Sequence, residues 1–321
     1  MSRVAVLKGG RSLERQVSLR SGARVEHSLE RLGHEVVAID VGADLFEDLR
    51  AAHADVAFIA LHGAGGEDGT VQELLEIVDL PYTGPGVLAC MRCWDKVLAK
   101  HLLREADLPT PGFFSFNETA FRELGAADLL PAIEARLSFP IVVKPATGGS
   151  ALGIKFAQTA RDVPSALVAA FSYDDCVLLE RHVRGRDLAV AILEQPDGPM
   201  ALPVVEAIPR DEDFYDFEAR YQIGRTAFSC PAELPDELGV RTRALALQVH
   251  TLLGGYGLSR VDLMLEEDTN DLWVLEVNAI PGLTETSLVP QAAEAAGVDF
   301  DALVSRILEA AVARSPRVVP V

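Results

Sequence analysis

Two apolar runs near the carboxyl end, Val261 to Leu265 and Leu272 to Val277, flank the polar link EEDTND. Apolar strand patterns separated by so short a polar link dictate an antiparallel hairpin with period-two faces. Residues two apart on a strand share a face, so Glu276 and Asn278 project together, and Asp262 on the neighbouring strand completes an all-oxygen cluster. Hard oxygen donors suit Mg²⁺, which keeps several waters and draws its remaining ligands from substrate phosphates. Two ions are expected there, with Glu276 bridging them, and Mn²⁺ can take the same place. Arg260 lies on the face of Asp262 as a fixed positive charge. The competing reading is a half-exposed hairpin with solvated polar positions. Glu-x-Asn beside Arg-x-Asp, inside otherwise apolar runs, weighs against it.

The rest of the chain must bury this hairpin. With 321 residues and 49% hydrophobic content, there is material for two or three domains. A formal charge of −19 and a pI near 4.7 argue against a nucleic-acid or anionic-membrane partner, because either needs a basic face. The start MSRVAVLKGG lacks a basic leader with an apolar core, and no run approaches a membrane span, so a cytoplasmic location is expected. Cys90, Cys93, Cys176 and Cys230 are too few for a disulfide framework and read as core thiols. The only lysines are Lys8, Lys96, Lys100, Lys144 and Lys155, so each one invites a reason.

In chain order, residues 3 to 8 read as a buried strand, followed by a helix for which Ser12 is the expected N-cap. Strands at Glu35 to Asp40 and Asp55 to Leu61, each followed by a helical pattern, make a parallel βαβ unit. Ligands of such sheets gather at strand carboxyl ends, near Glu14 and His62. Gly9 and Gly10 lack the later glycines of a dinucleotide-binding fingerprint. LHGAGGEDGTVQ is a glycine-rich loop opening a helix, and PYTGPG is a breaker before a helix from about Val87 to Glu105. Next come a helix from about Thr119 to Leu137, the strands FPIVVKP, GIKFA and CVLLE, and between the first two strands ATGGSALG, whose amides can wrap phosphate oxygens. It is not a Walker A loop, since no Ser or Thr follows Lys155. Strands RDLAVAILE and ALPVVEA, a long polar and aromatic segment, a helix from about Asp236 to Leu253, and a last helix around Phe300 to Ala313 complete the chain. Boundaries near residues 94 and 180 divide it into 1–94, 95–180 and 181–321.

Five ordered blocks, LKGGRSLERQVSLRSG, IALHGAGGEDGTVQ, PYTGPG with WDK, FPIVVKPATGGSALG, and the region from FYDFEARY to TETSLVP, resemble the D-alanine–D-alanine ligases of the ATP-grasp superfamily. The resemblance implies an α/β (α+β) ATP-grasp fold of three domains, with an amino-terminal parallel-sheet pre-ATP-grasp domain, and a homodimer. It implies that Lys96 and Lys144 contact ATP phosphates, that Ser150 belongs to a lid, and that Glu180 accepts the adenine amino group with Arg181 and Val183 beside it. Asp187 falls where the family has a ribose-binding Glu, and Phe214 and Met264 match walls of the adenine pocket. Glu14, assisted by Val17 and His62, would hold the amino group of the first D-alanine, and Ser287 and Leu288 would receive the carboxylate of the second. The chain departs from the family at Ala151, where a second lid serine is usual, and at Arg220, where a phosphate-binding lysine is usual.

The reaction implied is ATP-dependent ligation of two D-alanines through an acyl phosphate, with Arg260 and backbone amides near Gly282 stabilising the developing charge. Tyr221 in the long loop, bonded to Ser150, favours an amine over a hydroxy acid as acceptor, since a phenol stays neutral near pH 7. The alternatives are a ligase for other amino acids or a D-hydroxy acid, and a silent nucleotide-binding relative. The lid, 146 to 152, and the loop, 210 to 225, are expected to be mobile without ligand and to order together over ATP.

Overall fold

The computed structural model describes residues 1–209 and 226–314. The amino-terminal unit runs β1 (Arg3–Lys8), α1 (Arg15–Arg31), β2 (Glu35–Asp40), α2 (Leu45–Ala52), β3 (Val56–Ile59) and α3 (Thr70–Ile77). The strands form a parallel sheet in the order β2-β1-β3, with Val4 opposite both Val36 and Val56. β1 is buried from Val4 to Leu7, as a strand covered on both faces must be. The helix after β1 begins later than Ser12 suggests. Ser12 Oγ donates to the His62 carbonyl at 2.6 Å and accepts from the Glu14 N–H at 3.2 Å, so it ties two loops together and leaves Glu14 in the cap position.

The continuous helix expected from Val87 to Glu105 is two helices, α4 (Val87–Trp94) and α5 (Lys96–Glu105). Asp95 breaks it: its ψ is 103°, and its carboxylate accepts from the N–H groups of Val97 and Leu98, a cap that competes with helix continuation. The next unit comprises β4 (Phe113–Asn117), α6 (Glu118–Glu123), a 3₁₀ turn (Ala126–Leu129), α7 (Leu130–Leu137), β5 (Ile141–Pro145), β6 (Lys155–Ala157), α8 (Val163–Phe171) and β7 (Cys176–Arg181). The single helix expected over 119 to 137 is interrupted at Gly125, whose φ of +73° ends α6, and restarts with Pro131 in its first turn. The strands form an antiparallel sheet, β4-β7-β5-β6.

The last unit contains β8 (Gly185–Gln195), β9 (Gly198–Ala201), β10 (Val205–Pro209), β11 (Thr226–Ser229), α9 (Asp236–Leu253), β12 (Leu258–Glu266), β13 (Leu272–Asn278), α10 (Leu288–Ala295) and α11 (Phe300–Ala313). The strand expected from ALPVVEA is split into β9 and β10 around Pro203, which has no N–H to donate to a ladder. α9 matches its expected span, with Asp236 and Glu237 in the first turn and Gly254 closing it at φ +81°. α10 has no counterpart in the sequence reading.

The sheet order is β11-β10-β8-β12-β13, with β9 on the far part of β8. β8 alternates across two cores: Leu188, Val190 and Ile192 join a cluster with α9, and Ala189, Ala191 and Leu193 join one with α10 and α11. That second cluster also includes Val4, Val25, Leu29 and Phe58, so the amino- and carboxyl-terminal units share a core. Ser28 and Arg31 of α1 both donate to Asp301 of α11 at its edge. Ile192 is fully buried and Ile77 is 69% exposed. Chemical denaturation is expected to show Ile192→Ala losing about 2–5 kcal/mol and Ile77→Ala staying within about 0.5 kcal/mol of the parent. Equal losses would contradict this assignment of the core.

Candidate active site

The hairpin β12–β13 pairs Arg260 with Asn278 and Asp262 with Glu276, then skips a residue so that Leu263 faces Val274. The extra residue, Leu275, forms a bulge that turns both Leu275 and Glu276 away from the core. Arg260 grips Asp262 with Nε and Nη2 donating to the two carboxylate oxygens, each at 2.6 Å. Asn278 Oδ1 is buried and, among the described residues, accepts no hydrogen bond. A buried carbonyl oxygen without a donor, beside two carboxylates, is a set of hard oxygens that fits Mg²⁺. Among the described residues no three acidic, His or Cys side chains converge as a metal site, so Asn278 and substrate oxygens would have to complete the shell.

Three of the five lysines meet next to this hairpin. Lys96 and Lys100 lie one turn apart on α5 and so share a face. Lys96 Nζ donates to the Gly148 carbonyl of the lid at 2.5 Å and stands 3.9 Å from Glu276 Oε2. Lys144, from β5, donates to Glu180 Oε2 at 2.7 Å, while Lys100 contacts Glu180 Oε1. Lys100, Lys144 and Glu180 are 1%, 5% and 2% exposed. Burial lowers Lys100 to about 8, against the opposing pull of Glu180. Burial alone would raise Glu180, but the two lysines outweigh it and hold the carboxyl below its ordinary value. Sequence reasoning gave Glu180 to adenine and missed Lys100; the signal available was a lysine four residues after Lys96 in a chain that uses few.

Lys144 and Glu180 line a cleft of about 790 Å³, open to solvent, between the β5–β7 sheet and the β12–β13 hairpin. Val142, Val183, Met264 and Leu275 give it apolar walls, and Asp187 lies on its rim strand. Arg181 also lines it, but its guanidinium donates to Glu266 at 2.6 Å and stacks 4.7 Å above Trp273. Phe214, Arg220 and Tyr221, assigned to this region from sequence, lie outside the described residues.

A second, narrower cleft is lined by Glu14, His62, Ser150, Arg260, Gly282 and Ser287. Glu14 is 6% exposed; burial, then the nearby Glu67, raises its pKa, against a hydrogen bond donated by Ser150 Oγ. The lid reaches Glu14 because Ser150 and Ala151 adopt φ of +54° and +58°, and because Gly149 has no Cβ to stand 3.2 Å from the carboxylate. His62 uses both ring nitrogens inside the protein. Its Nδ1 is 3.2 Å from the Ile280 carbonyl, which can only accept, so Nδ1 carries the proton and Nε2 accepts from Ser21 Oγ at 3.0 Å. Val17 is packed in the core and is not among the cleft's lining side chains. Ser287 Oγ accepts from the Thr284 N–H at 3.0 Å and does not cap α10. Leu288 lines the same end.

Glu276 lines both clefts, and a smaller cavity bounded by Lys96, Lys144 and Glu276 lies between them. A family model described as the D-ala D-ala ligase C-terminus matches residues 102–309, and one described as the D-ala D-ala ligase N-terminus matches residues 43–85. The chain belongs to the D-alanine–D-alanine ligase family. Curated D-alanine–D-alanine ligases from Alcanivorax borkumensis and Syntrophotalea carbinolica are 45% and 43% identical to it, each over 96% of this chain and 93% and 96% of their own. The crystal structure of a Bacillus anthracis D-alanine–D-alanine ligase superposes with a TM-score of 0.83 at 32% identity, covering 97% of this chain and 98% of that one. The same enzyme complexed with ATP gives 0.81 at 31% over the same shares. The ATP-grasp fold expected from sequence, with its amino-terminal parallel sheet, is therefore the fold of this ligase-family chain.

The raised pKa of Glu14 has a thermodynamic sign. The folded chain holds this proton more tightly than the unfolded one, so stability falls as pH rises from the ordinary 4.5 through the raised folded value. Glu14→Gln removes that fall, and its melting midpoint is expected to exceed the parent's at about pH 7 by more than at about pH 4. Thermal melts at the two pH values decide it; an equal difference at both would contradict an ionisation strained by burial.

Proposed function

We propose that this chain joins two D-alanines into D-alanyl-D-alanine, splitting ATP to ADP and phosphate through an acyl phosphate, and so supplies a peptidoglycan precursor. The observation that carries the reading is the meeting of the two clefts at Glu276, between Lys96 and Lys144. One cleft fits a nucleotide, with apolar walls for adenine, Asp187 for the ribose and Lys144 where the phosphates would emerge. The other fits two small zwitterions.

Buried Glu14 holds the ammonium of the first D-alanine, whose charge favours the carboxylate form, and the carboxylate of that D-alanine then points toward the seam. A carboxylate is a poor electrophile, and attack of its oxygen on the γ-phosphoryl makes it a good one. Lys96 and Lys144 stabilise phosphate charge from either side. Mg²⁺, held by Asp262, Glu276 and Asn278, would neutralise charge on the phosphates. The α10 N-terminus, with Ser287 and Leu288, receives the carboxylate of the second D-alanine and presents its amine. Arg260, fixed by Asp262, and the Gly282 N–H face the oxyanion of the tetrahedral intermediate; losing a donor of this kind costs about 10²–10³ in rate. His62 supports this site by clamping α1 to the Ile280 carbonyl rather than by binding substrate. Arg220 is proposed to bind phosphate and Tyr221 to favour an amine acceptor, with 1–94, 95–180 and 181–321 acting as three units. A homodimer in the cytoplasm is the assembly and compartment this role implies.

The test is product analysis with ATP, Mg²⁺ and a panel of D-alanine, L-alanine and D-lactate. D-Alanyl-D-alanine should predominate even with D-lactate present as a competing acceptor. Ester as the main product, or ATP turnover indifferent to D-alanine, would overturn the substrate assignment.

A further inference from the structure

Lys100 is a charged side chain with no place in the chemistry described so far. It reaches Glu180 from the α5 side and does not line the nucleotide cleft, whereas Lys144 and Glu180 do. Its ammonium is fixed from three elements: α5 carries it, Thr110 Oγ1 accepts from it at 2.5 Å, and Thr110 in turn donates to the Val274 carbonyl of β13 at 2.9 Å. It also lies 5.4 Å from the Phe113 ring.

A buried carboxylate needs a counter-charge. If Lys144 were the only partner of Glu180, the two would form a neutral pair and the ammonium would be drawn back into it. With Lys100 on Oε1 and Lys144 on Oε2, the triad carries a net positive charge, and its only cationic exit into the cleft is Lys144. We infer that Lys100 is a positioning residue for nucleotide binding: it satisfies Glu180 so that the charge of Lys144 remains available to an ATP phosphate. The inference rests on the proposed use of this cleft by ATP.

It predicts a dependence on Glu180 that a packing role does not. Steady-state kinetics of D-alanyl-D-alanine formation should show Lys100→Met raising the KM for ATP about tenfold while changing the KM for D-alanine and kcat less than about twofold. In a Glu180→Gln background, where no buried charge draws Lys144 back, the same change should alter the KM for ATP less than about twofold. Equal factors in the two backgrounds, or an unchanged KM for ATP in the single variant, would overturn the inference. If Lys100→Met alone does not fold, the comparison of Lys100→Met/Glu180→Gln with Glu180→Gln decides: similar KM values support it, and a tenfold-scale gap overturns it. Failure of the parent protein to show ATP-saturable dipeptide synthesis would instead sink the functional reading itself.

Discussion

Charge taken out of water must be paired, and at the seam between the three sheets this chain buries several charges at once. Glu14, Glu67, Lys96, Lys100, Lys144 and Glu180 are all buried there. Paired poorly, such a group costs several kcal/mol, so the geometry around them is tightly constrained. Asp95 ends α4 and caps α5, and that restart sets the face on which Lys96 and Lys100 stand one turn apart. One lysine then meets the lid and Glu276, and the other meets Glu180. A continuous helix would carry both lysines along the direction of α4 instead.

A second network, mostly uncharged, fixes the loop that follows β13. Ser21 of α1 donates to His62 and accepts from the Leu283 N–H at 3.2 Å; Arg24 donates to the Leu283 carbonyl at 2.6 Å and lies 4.0 Å from the Phe300 ring. The loop bearing Gly282 and Ser287 is thus held by the helix that begins beside Glu14. Glu14 and the Gly282–Ser287 loop are positioned by one rigid element, the alignment that the proposed reaction of two small substrates needs. Burial and the neighbouring Glu67 both disfavour the charged form of Glu14.

Much of this was legible in the residues. The hairpin, its Asp262–Glu276 pairing, α9 and α11 follow from apolar periodicity and end signals that tertiary contacts do not oppose. What escaped the sequence depends on competition between partners. Asp95 and Gly125 interrupt helical patterns whose spacing continues through them, because a side-chain cap in one case and a left-handed backbone in the other is locally preferred. Ser12 looks like a cap until the His62 carbonyl is brought beside it. Nothing in the residue pattern shows that two lysines from separate elements reach the oxygens of Glu180. Asp262 shares its carboxylate with Arg260, which a face-of-strand argument places nearby without saying that the two bond. The all-buried Cys90 and Cys93 are core thiols as expected, whereas Cys176 and Cys230 are only half-buried.

The central claim is that carboxylate and γ-phosphoryl meet at the shared wall of two clefts. It is tested most directly by following oxygen from D-alanine labelled with oxygen-18 in its carboxylate, incubated with ATP and Mg²⁺. Attack of that carboxylate on the γ-phosphoryl, followed by loss of phosphate to the second amine, places one labelled oxygen in inorganic phosphate for each dipeptide made. Unlabelled phosphate accompanying dipeptide formation, or label appearing in AMP, would contradict the account.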